Sequence, residues 1–280
     1  MVHRPLRHSL RPLPALHDDW LERIGASLKD AKLDRSHFCR ETLCEIAYPE
    51  YTKNYDSALV DPKIPLGTRL ALSALDPRHI TLEPEYYADC DDEKFQRVKP
   101  LLWLWYSFDR LPVGGQNVEL GVRFRRLLAP HIFKSVGERF KAFQHVEFSY
   151  GYNIECGGDV VVHRHVLLDD RGGIKIGNKV SISDYANIYS HTHSIVDQKD
   201  VTNATTVLED GVRITYHATV FAGVKVGLDS MVGAMAVATK DVRPHHVNVG
   251  IPAKSVRVKP NAPHTTPDRL HTSHEREHKG

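Results

Sequence analysis

The sequence predicts a mainly β chain whose second half winds as a solenoid of short parallel strands behind a helical first half. Three observations carry that prediction. From Leu208 onward, apolar residues return at a step of six, at Leu208, Ile214, Val220, Val226, Val232 and Ala238. Four residues beyond each of these stands a small or β-branched residue: Val212, Ala218, Val224, Ser230, Ala236 and Val242. The same two slots recur upstream, with Ile176, Ile182 and Ile188 followed by Val180, Ala186 and Thr192, and with Cys156, Val162 and Leu168 interleaved with Val160 and Val166. A helix with 3.6 residues per turn would carry every sixth residue to a new face, and plain strand alternation would not confine small residues to one slot. Short strands joined by corners do both, with the larger aliphatic inside and the small residue tucked beside the next corner.

The register slips by two at Gly172-Gly173 and is lost over residues 194–207, a polar run with Asp197, Gln198, Lys199, Asp200 and Asn203. A loop projecting from one corner accounts for it.

The first half reads as helices. Residues 1–17, rich in proline and arginine, are expected to be a disordered lead, and 18–135 a helical region. Asp18 and Asp19 are placed to cap a helix bearing Trp20, Leu21, Ile24 and Leu28, and Ser36 precedes a second bearing Phe38, Leu43 and Ile46, ended by Pro49. Further helices are expected at 65–75 and 84–99, each opening on a proline. The stretch 101–106 is apolar all round and predicts burial against neighbouring helices or a subunit. A last helix over 118–128 should stop before Pro130. The solenoid then occupies 136–259, and 260–280, with His264, His271, His274 and His278 but few apolar residues, is expected to be a disordered tail.

With 41% hydrophobic and 26% charged residues in 280, the chain can bury a core, and its formal net charge of +2 makes no case for nucleic acid. No apolar run approaches the roughly 20 residues that span a bilayer. Cys39, Cys44, Cys90 and Cys156 form no C-x-x-C pair, which points to free thiols in a reducing, cytoplasmic setting.

Four segments, in order, carry a family likeness: Ser149-Tyr150-Gly151-Tyr152-Asn153-Ile154, Leu168-Asp169-Asp170, Ile188-Tyr189-Ser190-His191-Thr192-His193, and Thr239-Lys240-Asp241-Val242 through Gly250-Ile251-Pro252-Ala253-Lys254. Over residues 136–258 the chain resembles the hexapeptide-repeat acyltransferases, and within them the galactoside, maltose and nodulation O-acetyltransferases and enzymes that acetylate surface polysaccharides. A fainter echo of the maltose enzymes' helical leader begins near residue 84. The resemblance implies a left-handed parallel β-helix, a homotrimer with sites between neighbours, acetyl-CoA as donor, a saccharide or similar acceptor and no metal.

It also implies roles. Acyl transfer to a hydroxyl needs a base for the hydroxyl proton, and His193 matches the family's catalytic histidine. In a strand, His191 would point the same way as His193; it either shapes the pocket or is simply exposed. Asp169 and Asp170 fall where the family binds the acceptor sugar, and the slip that follows leaves open which one matches. His163 stands where the galactoside type has an asparagine that touches the acceptor, and Tyr216 lines the site. On the donor side, Ala234 offers backbone to pantetheine, Thr239 and Lys240 lie along the cofactor's path, and Arg257 can reach a phosphate. Arg213-Ile214-Thr215 departs from the family's Trp-Ile-Gly.

Two other readings compete. A γ-type carbonic anhydrase-like zinc site would draw on His163, His165, His191, His193 and His217, but the close histidine pair of that family is missing. A non-catalytic β-helix used as an assembly surface would suit the long first half, whereas His193 together with Thr239-Lys240 favours the enzyme.

Overall fold

The computed structural model describes residues 15–263, so the proline- and arginine-rich stretch up to residue 14 and the histidines from His264 onward lie outside the described residues. The chain divides into two compact units: Phe133–Ser149 with Asn153 onward, and the chain up to Ile132 with Tyr150–Tyr152.

The solenoid unit is a prism with three parallel sheets. Among the described residues, the first sheet stacks Ser135–Val136, Ile154–Cys156, Ile174–Ile176, Thr206–Leu208 and Lys225–Val226. The third stacks Glu147–Phe148, Leu167–Asp169, Asn187–Tyr189, Thr219–Val220 and Val237–Ala238, and the second has seven strands and closes antiparallel, with His246–Val249 against Lys254–Val258. Every large-slot residue from Cys156 to Ala238 points inward and is buried, as are the small-slot residues from Val160 to Val242 apart from Thr192. The step of six is therefore one side of the prism. A further coil upstream uses it too, through Ala142 and Phe148.

The corners between the second and third sheets hold His145, His165, Tyr185, His217 and Met235 at φ between 55° and 62°. Their rings stack: His145 on His165, His165 on Tyr185 and Tyr185 on His217, each at 4.8 Å between centroids. The left-handed backbone of these corners is unfavourable for most side chains, and the column of ring contacts works against that penalty.

The loop expected over 194–207 is a hairpin that leaves the coil earlier. His191–His193 pairs antiparallel with Val201–Asn203, so Thr192 opposes Thr202 in the hairpin and is exposed rather than filling a small slot. The two-residue slip makes room at its base. A Cβ on Gly172 would lie 2.2 Å from the Ser190 carbonyl oxygen and 2.5 Å from the Ala204 nitrogen, both backbone. Gly172→Ala is therefore expected to lower stability by about 1–3 kcal/mol and to loosen the hairpin. Urea unfolding checks it, and an unchanged midpoint would contradict this packing.

The helical unit has α1 (Leu16–Leu28), α2 (Arg35–Ala47), α3 (Tyr55–Val60), α4 (Leu66–Ser73), α5 (Asp92–Arg110) and α6 (Val118–Ile132). Three expectations need correction. Asp18 and Asp19 sit in the first turn of α1 rather than capping it; there their charge complements the helix dipole. The helix expected over 84–99 begins at Asp92, where the Asp91 side chain accepts from Lys94 N at 3.1 Å, and it runs through Pro100 into the apolar stretch. Pro130 lies inside α6 instead of ending it. A proline forgoes one helical hydrogen bond, but burial of Leu101, Leu102, Leu104 and Trp105 after Pro100, and of Ile132 after Pro130, carries both helices onward. Phe108 and Phe124 join α5 to α6 with centroids 4.1 Å apart, and Trp20 packs on both. Beside them Arg125 and Asp109 form a buried ion pair, with Arg125 Nε donating to Asp109 Oδ1 at 2.9 Å.

Candidate functional site

The corner that follows the third sheet gathers the chemistry. Leu167–Asp169 and Asn187–Tyr189 lie side by side in register, with Asp169 opposite Tyr189. The chain leaving each strand therefore reaches the same corner, and Asp169 lies beside Ser190 and His191. Asp169 is buried. Its Oδ1 accepts from Ser149 Oγ at 2.6 Å, and its Oδ2 accepts from Ser190 N at 3.3 Å and from His191 Nδ1 at 2.5 Å. Ser190 Oγ in turn donates to the Asp169 carbonyl at 2.6 Å and accepts from Gly172 N at 2.8 Å. Asp170 is wholly buried and accepts from Asn153 N at 3.0 Å. Both carboxylates are thus engaged with protein donors, away from solvent. The Asp169 carboxylate reaches the surface through the partly exposed ring of His191.

His193 is exposed on the hairpin, and its Nδ1 lies 2.8 Å from the Gln198 carbonyl oxygen. A carbonyl only accepts, so Nδ1 carries the hydrogen, and in the neutral ring the lone pair sits on Nε2. The hairpin turn that supplies this carbonyl is itself tied: Ser194 N donates to Asp200 O at 2.9 Å and Asp200 N to Asp197 O at 3.0 Å. As strand alternation requires, His191 and His193 share one face, with ring centroids 5.2 Å apart and planes at 82°. Cys156 faces the interior, where burial pushes its thiol up to about 12, which leaves no thiolate for nucleophilic chemistry.

Of the other predicted residues, two share this corner and the rest lie elsewhere on the prism. Thr239 and Lys240 are exposed at the same corner as His191, in the coil that follows Thr219–Val220. His163, Tyr216 and Ala234 occupy the corner between the second and third sheets. There His163 stacks on Phe143 at 5.0 Å, while Tyr216 stands edge-on to Tyr185 and His217. Arg257 is exposed in the closing strand, paired with Val247. No group of three or more His, Cys, Asp or Glu side chains among the described residues is placed to hold a metal ion. Sequence reasoning did not single out Ser149 and Ser190 as partners of Asp169, although both stand in the quoted motifs. It also passed over the stacked corner, whose signal is an aromatic or imidazole ring at 145, 165 and 185, one coil of twenty residues apart.

No family model matches the chain. The galactoside O-acetyltransferase of Escherichia coli is 28% identical over 140 residues, covering 49% of this chain and 69% of that one. Among solved structures, a maltose O-acetyltransferase from Clostridium difficile matches with a TM-score of 0.54 at 25% identity, covering 62% of this chain and 91% of that one. A galactoside acetyltransferase in complex with coenzyme A matches with a TM-score of 0.53, also at 25% identity, covering 62% and 85%. In all three the likeness leaves a large part of this chain unmatched.

Proposed function

We propose that the chain is a hexapeptide-repeat acetyltransferase of the galactoside and maltose O-acetyltransferase type, a left-handed parallel β-helix with a helical region, and that it moves an acetyl group from acetyl-CoA to a hydroxyl of a saccharide or similar acceptor. His193 is the general base. The observation that carries this is its hydrogen bond to the Gln198 carbonyl, which leaves Nε2 as the basic nitrogen of the neutral ring. Nε2 takes the hydroxyl proton as the acceptor oxygen attacks the thioester carbonyl. The tetrahedral adduct then collapses, the C–S bond breaks, and the proton passes to the departing thiolate.

Donor binding falls to Ala234, Thr239, Lys240 and Arg257, and coenzyme A as the donor is supported by the similar galactoside acetyltransferase solved in complex with it. Lys240 and Arg257 are exposed cations suited to phosphate. Because Ala234 and Tyr216 lie at one corner of the prism and His193 with Lys240 at another, one chain does not bring the two sets together. A homotrimer that sets one corner against a neighbour's other corner completes the site. No described helix is long and apolar enough to cross a membrane, and the free thiols fit a cytoplasmic location.

Incubation with acetyl-CoA and a saccharide panel, following free thiol, tests the reading; thiol release that no acceptor stimulates would refute it. Lys240→Ala is expected to raise the KM for acetyl-CoA roughly tenfold with kcat changed by no more than about threefold, since a phosphate contact acts on ground and transition states alike. Steady-state kinetics with varied donor check this, and an unchanged KM would remove Lys240 from the donor path.

A further inference from the structure

His191 is held more firmly than the base beside it. Its Nδ1 donates at 2.5 Å to Asp169, a carboxylate that is 2% exposed and is itself fixed by Ser149 Oγ and Ser190 N. The fixed end of the ring is therefore buried and its orientation is set by three donors around one carboxylate. His191 Nε2 is the nitrogen left over, and among the described residues it has no protein partner. His193 is arranged in the same way, with Nδ1 given to a carbonyl and Nε2 left over. Two imidazoles on one face of one hairpin strand, edge to face at 5.2 Å, thus share a tautomer imposed by protein acceptors.

A single basic nitrogen would suffice to deprotonate one hydroxyl. A second lone pair one strand step away suits a second hydroxyl next to the one that reacts. Asp169, consumed by its protein donors, is not placed to serve that hydroxyl itself. We infer that His191 is a specificity-determining residue, locked by the positioning residue Asp169, and that its Nε2 accepts a hydrogen bond from a second acceptor hydroxyl, so that the site selects acceptors with adjacent hydroxyls. This rests on the acyl-transfer reading above. A buried or half-buried acceptor nitrogen left without its donor hydroxyl disfavours the analogue that lacks it.

The test uses the full chain, acetyl-CoA and methyl pyranosides in which each hydroxyl in turn is replaced by hydrogen, with free thiol as the readout. On the pyranoside turned over best, loss of the hydroxyl beside the acylated position is expected to lower kcat/KM by about 10- to 100-fold in the wild-type protein. In His191→Phe, which keeps a ring and removes both nitrogens, that penalty should shrink to within about threefold, and His191→Gln, whose amide reaches toward the Nε2 position, should restore part of it. A penalty that persists undiminished in His191→Phe overturns the inference alone. Absence of thiol release with every pyranoside overturns the acyl-transfer reading, and this inference with it. Nitrogen-15 spectra of labelled imidazoles give a readout without turnover: His191 should carry its hydrogen on Nδ1 and lose that preference in Asp169→Ala, which removes the acceptor. A hydrogen found on Nε2 in the neutral wild-type ring would also overturn the assignment.

Discussion

His193→Ala is expected to lower kcat by about 10²- to 10⁴-fold, the usual contribution of a positioned base, with little change in the KM for acetyl-CoA. The expectation follows from one bond. With Nδ1 donating to the Gln198 carbonyl, Nε2 is the nitrogen that can take a proton, and among the described residues no other imidazole is hydrogen-bonded to that turn. Alanine also removes the hydrogen bond that helps hold the hairpin, so loss of activity alone would leave two explanations. His193→Asn separates them, because its amide nitrogen overlays Nδ1 and can still donate to Gln198 while no basic nitrogen remains. Comparable loss in both variants identifies the base; substantial activity in His193→Asn would mean that His193 acts by shaping the loop. Single-turnover thiol release at saturating donor makes the comparison.

The second large effect concerns the helical unit. Asp109→Ala is expected to destabilise it by about 3–5 kcal/mol, because Arg125 is buried and would lose the carboxylate that compensates its charge. Burial already draws the Arg125 guanidinium below its ordinary value, and the attraction of Asp109 opposes that. All three tryptophans, Trp20, Trp103 and Trp105, lie in this unit, so their fluorescence during urea unfolding reports on it directly. Asp109→Asn, which retains an acceptor oxygen, should recover part of the loss. An unchanged midpoint in Asp109→Ala would show that the pair is not needed.

The solenoid was legible because its interior admits one residue size per slot, and a corner every sixth residue leaves little freedom to vary the pattern. The pattern misled only where it was accidentally continued: Thr192 has the right size for the small slot, yet its backbone pairs with Thr202 in the hairpin. Helix ends were harder to place. Pro100 and Pro130 are local stop signals, and burial of the apolar residues beyond them overrode both. At the site, the strand period put His191 and His193 on one face. Their partners were out of reach of the sequence. Asp169 meets His191 across 22 positions through the coil register, and His193 bonds to a backbone carbonyl, a group every residue possesses and no residue type announces.

Transfer of an acetyl group from a thioester to a hydroxyl leaves a product that can be identified. After incubation with acetyl-CoA and a turned-over saccharide, mass spectrometry should find a single acetyl ester on the acceptor, removable by mild base, in amounts equal to the free coenzyme A formed. The same ester should be absent with His193→Asn. Coenzyme A released without any acylated acceptor, or an acetyl group that resists base as an amide, would contradict the account.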